Sequence, residues 1–174
     1  MSLKDFLNKD ANISKRLRVA EQPGNLRNFS AFLAHSGDSW FWLLALPILW
    51  YFGNLFWKYR SAILFIAIFF TAIIVLILKF TIRRNRPEGE WGQIYRITDP
   101  HSFPSGHAAR AMLIGVVALG LGPIWFGILL IIWGPLVGLA RIAMGVHYLS
   151  DVIAGWIVGI VMGLLSLQFL PQFL

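Results

Sequence analysis

A histidine and an aspartate near the end of the chain have a spacing that suits nucleophilic chemistry. Asp151 lies four residues after His147, so a helix that begins near Val146 would bring the carboxylate within reach of the imidazole ring. A carboxylate bonded to one ring nitrogen fixes the tautomer and leaves the lone pair of the other nitrogen free for attack. The same two residues could instead form a buried pair that serves only to satisfy each other.

Cationic side chains gather at the end of an apolar run earlier in the chain. Lys79, Arg83 and Arg86 stand at i, i+4 and i+7, which predicts that they share one face of a helix ending before Pro87. Arg84 points away from this face, and we expect it to be no more than an interfacial residue. Taken alone, the cluster is also typical of basic side chains that reach from a membrane helix towards lipid headgroups.

A third segment combines small polar residues with a second histidine at the predicted start of a helix. The sequence Ser105-Gly106-His107 follows Pro104 and leads into an apolar run. Unpaired N–H groups at a helix start bind anions, and glycine allows a ligand to approach the backbone closely. Simple capping by Ser102 or Ser105 would explain the serines but not His107.

The three segments together have the composition of a phosphate site. Arg141, six residues before His147, adds another cation to the set. Fixed positive donors suit the equatorial oxygens of a phosphoryl group in its trigonal transition state. The rival is a metal site built from His107, His147 and Asp151, since these are good ligands, but the neighbouring Lys and Arg side chains would repel a metal cation. We therefore predict no metal and no other cofactor.

The composition of the chain restricts where this chemistry can take place. Of the 174 residues, 57% are hydrophobic and 13% are charged, whereas about a quarter are charged in ordinary soluble domains. The length suits one domain, so a single integral membrane domain over 1–174 is predicted. The absence of cysteine excludes disulfides, thiolate nucleophiles and cysteine zinc sites. A net charge of +7 in such a protein favours an anionic lipid partner over nucleic acid.

Uncharged runs predict an all-α fold, a polytopic transmembrane bundle of about five spanning helices. The runs 39–57 and 61–78 are separated by Lys58 and Arg60 and predict a helical hairpin. The run 111–140 is too long for one untilted helix and is predicted to turn at Gly122-Pro123, with its first helix reaching back to about Ser105. The last run is 152–174. If the helices alternate in direction, the three polar segments meet on one side of the membrane.

Glycines at four-residue spacing predict that helices pack closely inside this bundle. They are Gly134 and Gly138, followed by Gly155, Gly159 and Gly163. This pattern is a packing signal rather than a functional one.

The first 38 residues differ in kind from the bundle over 39–174. They carry six Lys and Arg residues among apolar residues at helical spacing, which predicts one or two amphipathic helices lying in the membrane interface. The segment Gln22-Pro23-Gly24 is expected to separate them. The alternative is a plain solvated tail. No apolar core follows Met1 as it would in a signal peptide, so we do not expect cleavage.

Three spaced motifs give the sequence its resemblance to a known family, the type 2 phosphatidic acid phosphatase superfamily. The first motif is a lysine, six residues and then Arg-Pro, here Lys79 to Arg86-Pro87. The second, Pro-Ser-Gly-His, is residues 104–107. The third is Ser-Arg, five residues, histidine, three residues and aspartate, and it appears here with Ala140 in place of the serine. The match runs from about residue 79 to residue 151.

The resemblance implies a membrane lipid phosphatase. It makes His147 a nucleophile that forms a phosphohistidine, with Asp151 as its orienting partner, and it makes His107 the group that protonates the departing lipid and then activates water. The phosphate oxygens would be held by Lys79, Arg86, Ser105, Gly106 and Arg141. No metal is used in the family.

The resemblance leaves the lipid open. Undecaprenyl diphosphate, phosphatidylglycerol phosphate and phosphatidic acid are the candidate substrates, and a protein that binds or moves a lipid phosphate without hydrolysing it is the alternative function. The family also implies the cell (inner) membrane, with the active site at the extracytoplasmic face. The positive-inside rule favours the opposite face, because nearly all Lys and Arg residues fall on the side of the predicted site. Nothing in the residues predicts an oligomeric state.

Overall fold

A computed structural model describes residues 2–168, and the regular elements of that part are all α-helices. Their bounds are α1 Leu3–Arg16, α2 Asn25–His35, α3 Ser39–Phe52, α4 Leu55–Ile82, α5 Glu90–Thr98, α6 Gly106–Leu121, α7 Ile124–Ala143 and α8 Leu149–Gln168. The predicted all-α fold is confirmed. The predicted turn between α6 and α7 is confirmed as well, because α6 ends at Leu121 and α7 begins after Pro123.

Three of these helices, α4, α7 and α8, are long and apolar enough to cross a membrane. The apolar helices α3 and α6 are shorter, with 14 and 16 residues, and a rise of about 1.5 Å per residue makes them shorter than a hydrocarbon core of about 30 Å. The count of five spans therefore stays a prediction. The end of the predicted last span, 169–174, lies outside the described residues.

The hairpin of α3 and α4 turns earlier than predicted. The break falls at Gly53-Asn54, and the Asn54 side chain accepts a hydrogen bond from the backbone of the first turn of α4. The prediction of a turn at Lys58 and Arg60 is wrong because both cations lie in the first turns of α4. There the Arg60 guanidinium donates to the carbonyl oxygen of Leu121, so its charge does not interrupt the helix.

The core of the bundle is α6, which packs against both α7 and α8 and is also contacted by α4. The glycines of α8 lie on the face that meets α6, and a Cβ atom at Gly159 would overlap the carbonyl oxygen of Ala109. The predicted packing role of these glycines is confirmed. This close contact fixes the start of α6 beside the start of α8, where His107 and Asp151 lie.

The N-terminal arm, residues 2–38, forms two helices with a break over 17–24, as predicted. Most of α1 is exposed, but Asp10 and Ser14 are buried against the start of α8. A plain solvated tail would leave these polar residues in water, so that alternative is wrong. The location of the arm in a membrane interface stays a prediction.

Candidate active site

The predicted site residues come together at one end of the bundle. The last turn of α4, the loop after it, the start of α6, the end of α7 and the start of α8 supply them. The eight residues are Lys79, Arg86, Ser105, Gly106, His107, Arg141, His147 and Asp151. All except Gly106 and His107 are almost fully buried.

His147 lies in the loop between α7 and α8, and its two ring nitrogens face different partners. Nε2 is 3.2 Å from Nη1 of Arg86, and Nδ1 is 3.6 Å from Oδ2 of Asp151. A guanidinium can only donate, so we assign the lone pair to Nε2 and the proton to Nδ1. Burial, with the nearby charges of Arg86, Arg141 and Lys79, lowers the pKa of His147 well below its usual value. His147 is therefore a neutral imidazole whose unprotonated nitrogen is Nε2.

The helix start that was expected near Val146 is wrong, because α8 begins at Leu149. The chain makes a tight turn first, in which the N–H groups of Val146 and His147 both donate to the carbonyl oxygen of Arg141. Asp151 still faces His147, but across this turn rather than along one helical face. The turn also ties His147 to the end of α7, where Arg141 lies.

Asp151 is fully buried, and both of its carboxylate oxygens accept hydrogen bonds. Oδ2 accepts from the backbone N–H of Tyr148 at 2.9 Å, and Oδ1 accepts from Nη1 of Arg84 at 2.7 Å. The backbone N–H of Ser105 donates to the carbonyl oxygen of Asp151 at 2.9 Å. These contacts hold the carboxylate in place beside Nδ1 of His147.

The predicted roles of Arg83 and Arg84 are reversed. The helix α4 ends at Ile82, and Arg83 takes the left-handed conformation, with φ of 51°. This turn rotates the chain, so that Arg83 is exposed and its guanidinium donates to the carbonyl oxygen of Phe80, whereas Arg84 enters the site. Arg86 reaches the site from the loop and not from a helical face. Arg84 was not predicted as a site residue because the helical spacing was applied as far as Pro87, beyond the end of α4.

Two cations pair with a carboxylate that the motifs do not include. Asp99 forms ion pairs with Lys79 and with Arg86, whose Nη2 is 2.7 Å from Oδ2. Burial raises the pKa of Asp99, but the hydrogen bond from Lys79 and the charges of Lys79 and Arg86 outweigh it and lower the pKa overall. Asp99 is thus an anion held among the cations that the motifs assign to phosphate.

Ser105 and Arg141 each have a buried polar atom without a hydrogen-bond partner in the described part of the chain. These atoms are Oγ of Ser105 and Nε of Arg141. Ser105 precedes α6, but its hydroxyl makes no capping bond, so simple capping by this residue is wrong. Arg141 also packs on the ring of Tyr95 and donates to its hydroxyl at 3.1 Å. A phosphate oxygen could accept from both unpaired donors.

His107 has a carboxylate of its own, which comes from the arm. Nε2 of His107 is 2.6 Å from Oδ1 of Asp38, whose other oxygen is 3.1 Å from Nδ1 of His35. Burial opposes ionisation of Asp38, but hydrogen bonds and charge from the two histidines lower its pKa well below the usual value. Asp38 was not predicted as a site residue because it lies far from the three motifs, directly before α3.

A cavity of about 290 Å³ lies between α4 and α6 and joins a polar end to an apolar wall. The polar end is lined by Lys79, Asp99, Gly106, His107, Arg110 and His147. The apolar wall comes from α4 and includes Ile68, Ala72, Val75 and Leu76. Arg110, one turn after His107, was not recognised as part of the site. A cavity with these two ends can take an amphiphile with an anionic headgroup.

Comparison with known proteins decides the family. The family model described as the PAP2 superfamily matches residues 60–173 of the chain. The chain belongs to the PAP2 superfamily. The resemblance predicted from the three motifs is therefore confirmed.

Individual members of the PAP2 superfamily are similar to this chain over most of its length. The chain is 33% identical over 153 residues to an undecaprenyl-diphosphatase of Sulfolobus acidocaldarius, covering 84% of this chain and 72% of the relative. It is 32% identical over 130 residues to undecaprenyl-diphosphatase BcrC of Bacillus subtilis, covering 72% and 66%. In fold it is similar to the PAP2-type phosphatidylglycerolphosphate phosphatase of Bacillus subtilis, with a TM-score of 0.78, 24% identity and coverage of 98% and 88%.

These findings confirm that the PAP2 chain is a membrane lipid phosphatase. The alternative of a protein that binds or moves lipid phosphate without hydrolysis is not favoured. An integral membrane location is confirmed.

Proposed function

We propose that this PAP2 phosphatase removes the terminal phosphate of a polyprenyl diphosphate, with undecaprenyl diphosphate as the first candidate. The observation that carries the proposal is the cavity, which places a cluster of cations and His147 beside an apolar wall. Two relatives at 33% and 32% identity are undecaprenyl-diphosphatases, which supports the choice of lipid. Phosphatidylglycerol phosphate and phosphatidic acid are the alternatives, since their headgroups share the same phosphate chemistry.

The first step is attack by His147 on the terminal phosphorus. A bond forms between Nε2 and phosphorus, and the bond from phosphorus to the bridging oxygen breaks. His107, protonated at the start, gives its proton to that oxygen, and the lipid monophosphate leaves. Asp38 accepts from Nε2 of His107 and stabilises its charged form. Asp151 faces Nδ1 of His147 and stabilises the positive charge that the imidazole gains.

The second step returns the enzyme to its starting state. His107, now neutral, takes a proton from water as the water oxygen attacks phosphorus. The bond between phosphorus and Nε2 of His147 breaks, inorganic phosphate is released, and both histidines recover their original protonation states. Each histidine thus works beside a carboxylate that can balance its charge.

Electrostatic stabilisation of the phosphoryl group is assigned to the buried donors. Lys79, Arg86 and Arg141 carry the charge, while Ser105 supplies its unpaired hydroxyl and Gly106 leaves room for close approach to the start of α6. In such a scheme the cations take the part that metal ions take in other phosphoryl-transfer enzymes. The scheme needs no metal and no organic cofactor.

The active site is assigned to the extracytoplasmic face of the cell membrane. The positive-inside rule opposes this assignment if every cation is counted. However, many cations on the site's side are held by partners within the protein, namely Arg18, Arg27, Lys79, Arg84, Arg86, Arg96, Arg110 and Arg141. Since these side chains have partners within the protein, they are weak indicators of orientation.

A substrate panel tests the proposed function. The purified protein in mixed micelles is assayed for phosphate release from undecaprenyl diphosphate, phosphatidylglycerol phosphate and phosphatidic acid, with His147→Ala as the inactive reference. We expect the highest kcat/KM for undecaprenyl diphosphate. Equal or higher values for either glycerophospholipid would overturn the assignment of the lipid, and activity retained by His147→Ala would overturn the assigned nucleophile.

A further inference from the structure

The arm makes a set of polar contacts with the bundle that the family motifs do not include. Asp10 and Ser14 stand at i and i+4 on α1, and they are 6% and 0% exposed. Within α1 these are the buried residues, and both are polar. The arm therefore docks through polar contacts rather than through the apolar stripe of α1, whose residues Leu3 and Phe6 are exposed.

The contacts fall on the first turn of α8. The backbone N–H of Leu149 donates to Oγ of Ser14 at 2.8 Å, and that of Ser150 donates to Oδ1 of Asp10 at 3.1 Å. The Ser150 hydroxyl donates to the second oxygen of Asp10 at 2.6 Å. The first N–H groups of a helix lack partners within the helix, so α1 caps α8 from a distant part of the chain.

Arg84 links this cap to the nucleophile. Its Nη2 donates to Oδ2 of Asp10 at 2.6 Å, and its Nη1 donates to Oδ1 of Asp151 at 2.7 Å. Its guanidinium also lies over the ring of Tyr148, 4.0 Å from the centroid. A continuous series of charged contacts thus runs from Asp10 through Arg84 to Asp151, which faces Nδ1 of His147.

Charge balance gives the series a consequence for the reaction. The positive charge of Arg84 partly offsets the negative charge of Asp151, which weakens the electrostatic stabilisation that Asp151 gives to a positively charged His147. Asp10 offsets the charge of Arg84, so that Asp151 keeps its effect on the imidazole. Without Asp10, the guanidinium would also lose one of its two anchors and could turn away from the position that holds Asp151.

We propose that the N-terminal arm is part of the working active site, with Asp10 acting through Arg84 as a positioning residue for Asp151 and His147. The inference rests on the proposed role of His147 as the nucleophile. It extends the site beyond residues 60–173, which the family model matches. The expected loss is in the rate of the chemical step, because Asp10 lies behind the site and touches no part of the substrate.

The test uses the full chain in lipid nanodiscs and measures kcat, KM and Tm. Asp10→Asn keeps the shape of the side chain and removes its charge, and we expect kcat to fall by at least about tenfold with KM little changed. Asp10→Glu should recover part of the loss. Asp5→Asn, which removes an exposed carboxylate that caps the start of the same helix, is the matched control for charge and should keep the kcat of the wild type.

Two further variants distinguish a positioning role of Asp10 from a purely structural one. Ser14→Ala removes a cap from α8 without changing the charge, so it should lower Tm about as much as Asp10→Asn but reduce kcat much less. In an Arg84→Gln background, Asp10→Asn should cause little further loss of kcat, because the two residues act in series.

The outcomes are distinct. The inference would be overturned if Asp10→Asn kept the kcat of the wild type. It would also be overturned if Ser14→Ala lost as much kcat as Asp10→Asn, or if Asp10→Asn and Arg84→Gln reduced kcat independently of each other. The proposed nucleophile is tested separately by trapping labelled phosphoenzyme in the wild type. If no label forms on His147 while phosphate is released, the proposed mechanism fails, whereas the kcat of Asp10→Asn still tests whether the arm acts on catalysis.

Discussion

The two histidines of the site differ in where their carboxylates come from. Asp151 lies in the same motif as His147, whereas Asp38 reaches His107 from the arm at 2.6 Å. In the proposed mechanism His147 must be neutral to attack, and its lowered pKa meets that need. His107 must carry a proton to the leaving group, and the ionised Asp38 favours the protonated form. The mechanism thus assigns opposite protonation states to the two histidines at the start of the reaction, although burial and the charge of Arg141 oppose the protonated form of His107 as they do that of His147.

This difference predicts different substrate dependence for the two alanine variants. His147→Ala should abolish phosphate release from every substrate and should trap no phosphoenzyme. His107→Ala should lose most of its activity on a lipid phosphomonoester but much less on p-nitrophenyl phosphate, whose leaving group needs little protonation. The measurement compares kcat/KM of both variants on the two substrates, with labelled phosphate trapped at alkaline pH. Label that persists in His147→Ala but is lost in His107→Ala would reverse the assigned roles.

Asp99 has a separate effect on substrate binding. It pairs with Lys79 and Arg86, so a phosphate that binds these cations must compete with it. Asp99→Asn should therefore tighten inhibition by orthovanadate, with an expected fall in Ki of about tenfold, which corresponds to about 1.4 kcal/mol. Lys79→Ala should weaken the same inhibition.

The control for this prediction is Glu88→Gln, since Glu88 is an exposed carboxylate in the preceding loop. Its Ki for orthovanadate should match that of the wild type. If Asp99→Asn weakened vanadate binding instead, Asp99 would have to be a group that organises the cations rather than a competitor of phosphate.

The residues of the site were predictable where spacing alone defines them. The three motifs named all eight candidate residues, and the structure brings these together. Asp38, Asp99 and Arg84 escaped prediction because each reaches the site through a turn or from a distant segment. Their positions depend on where α3 begins and where α4 and α5 end, and no local pattern in the sequence fixes those points.

At the scale of helices, the contact between α6 and α8 sets the distance between the two halves of the site. His107 lies in the first turn of α6 and Asp151 in the first turn of α8. The glycines of α8 allow this close approach, and a side chain at Gly159 would meet the backbone of α6. Their spacing in the sequence predicted close packing, although it could not say which helix would be the partner.

Gly159→Leu should therefore separate the two helices and impair both stability and activity. Overpacking of this kind typically costs about 1 to 3 kcal/mol, and kcat should fall because His107 moves away from His147. The matched control is Val161→Leu, since Val161 lies on the same helix and is 49% exposed. Thermal unfolding and phosphate release in nanodiscs are the measurements. An unchanged kcat in a destabilised Gly159→Leu would show that the site tolerates movement between α6 and α8.

For the whole molecule, composition and span pattern predicted the membrane bundle, but the positions of the breaks between helices depended on local contacts. The turn after α3 lies at Gly53-Asn54 because Asn54 caps the next helix, and a count of uncharged residues cannot detect a cap.

The proposed chemistry can be tested at the level of the whole enzyme by removing metal ions. The cationic lining makes the reaction independent of divalent ions in our scheme, so dialysis against EDTA should leave kcat unchanged. Orthovanadate should inhibit at low concentration because it adopts a five-coordinate geometry close to the transition state. Loss of turnover in EDTA that zinc or magnesium restores would require a different mechanism.

Orientation is a property of the whole chain, and the absence of cysteine makes it directly measurable. We expect the end of the bundle that carries the site and the arm to face away from the cytoplasm. In sealed right-side-out vesicles, a membrane-impermeant maleimide should label Asn8→Cys on the arm but not Lys58→Cys at the opposite end, until detergent opens the vesicles. The reverse pattern would place the site in the cytoplasm. In that case the excess of cations on the side of the site would follow the positive-inside rule. The substrate would then have to present its phosphate on the inner leaflet.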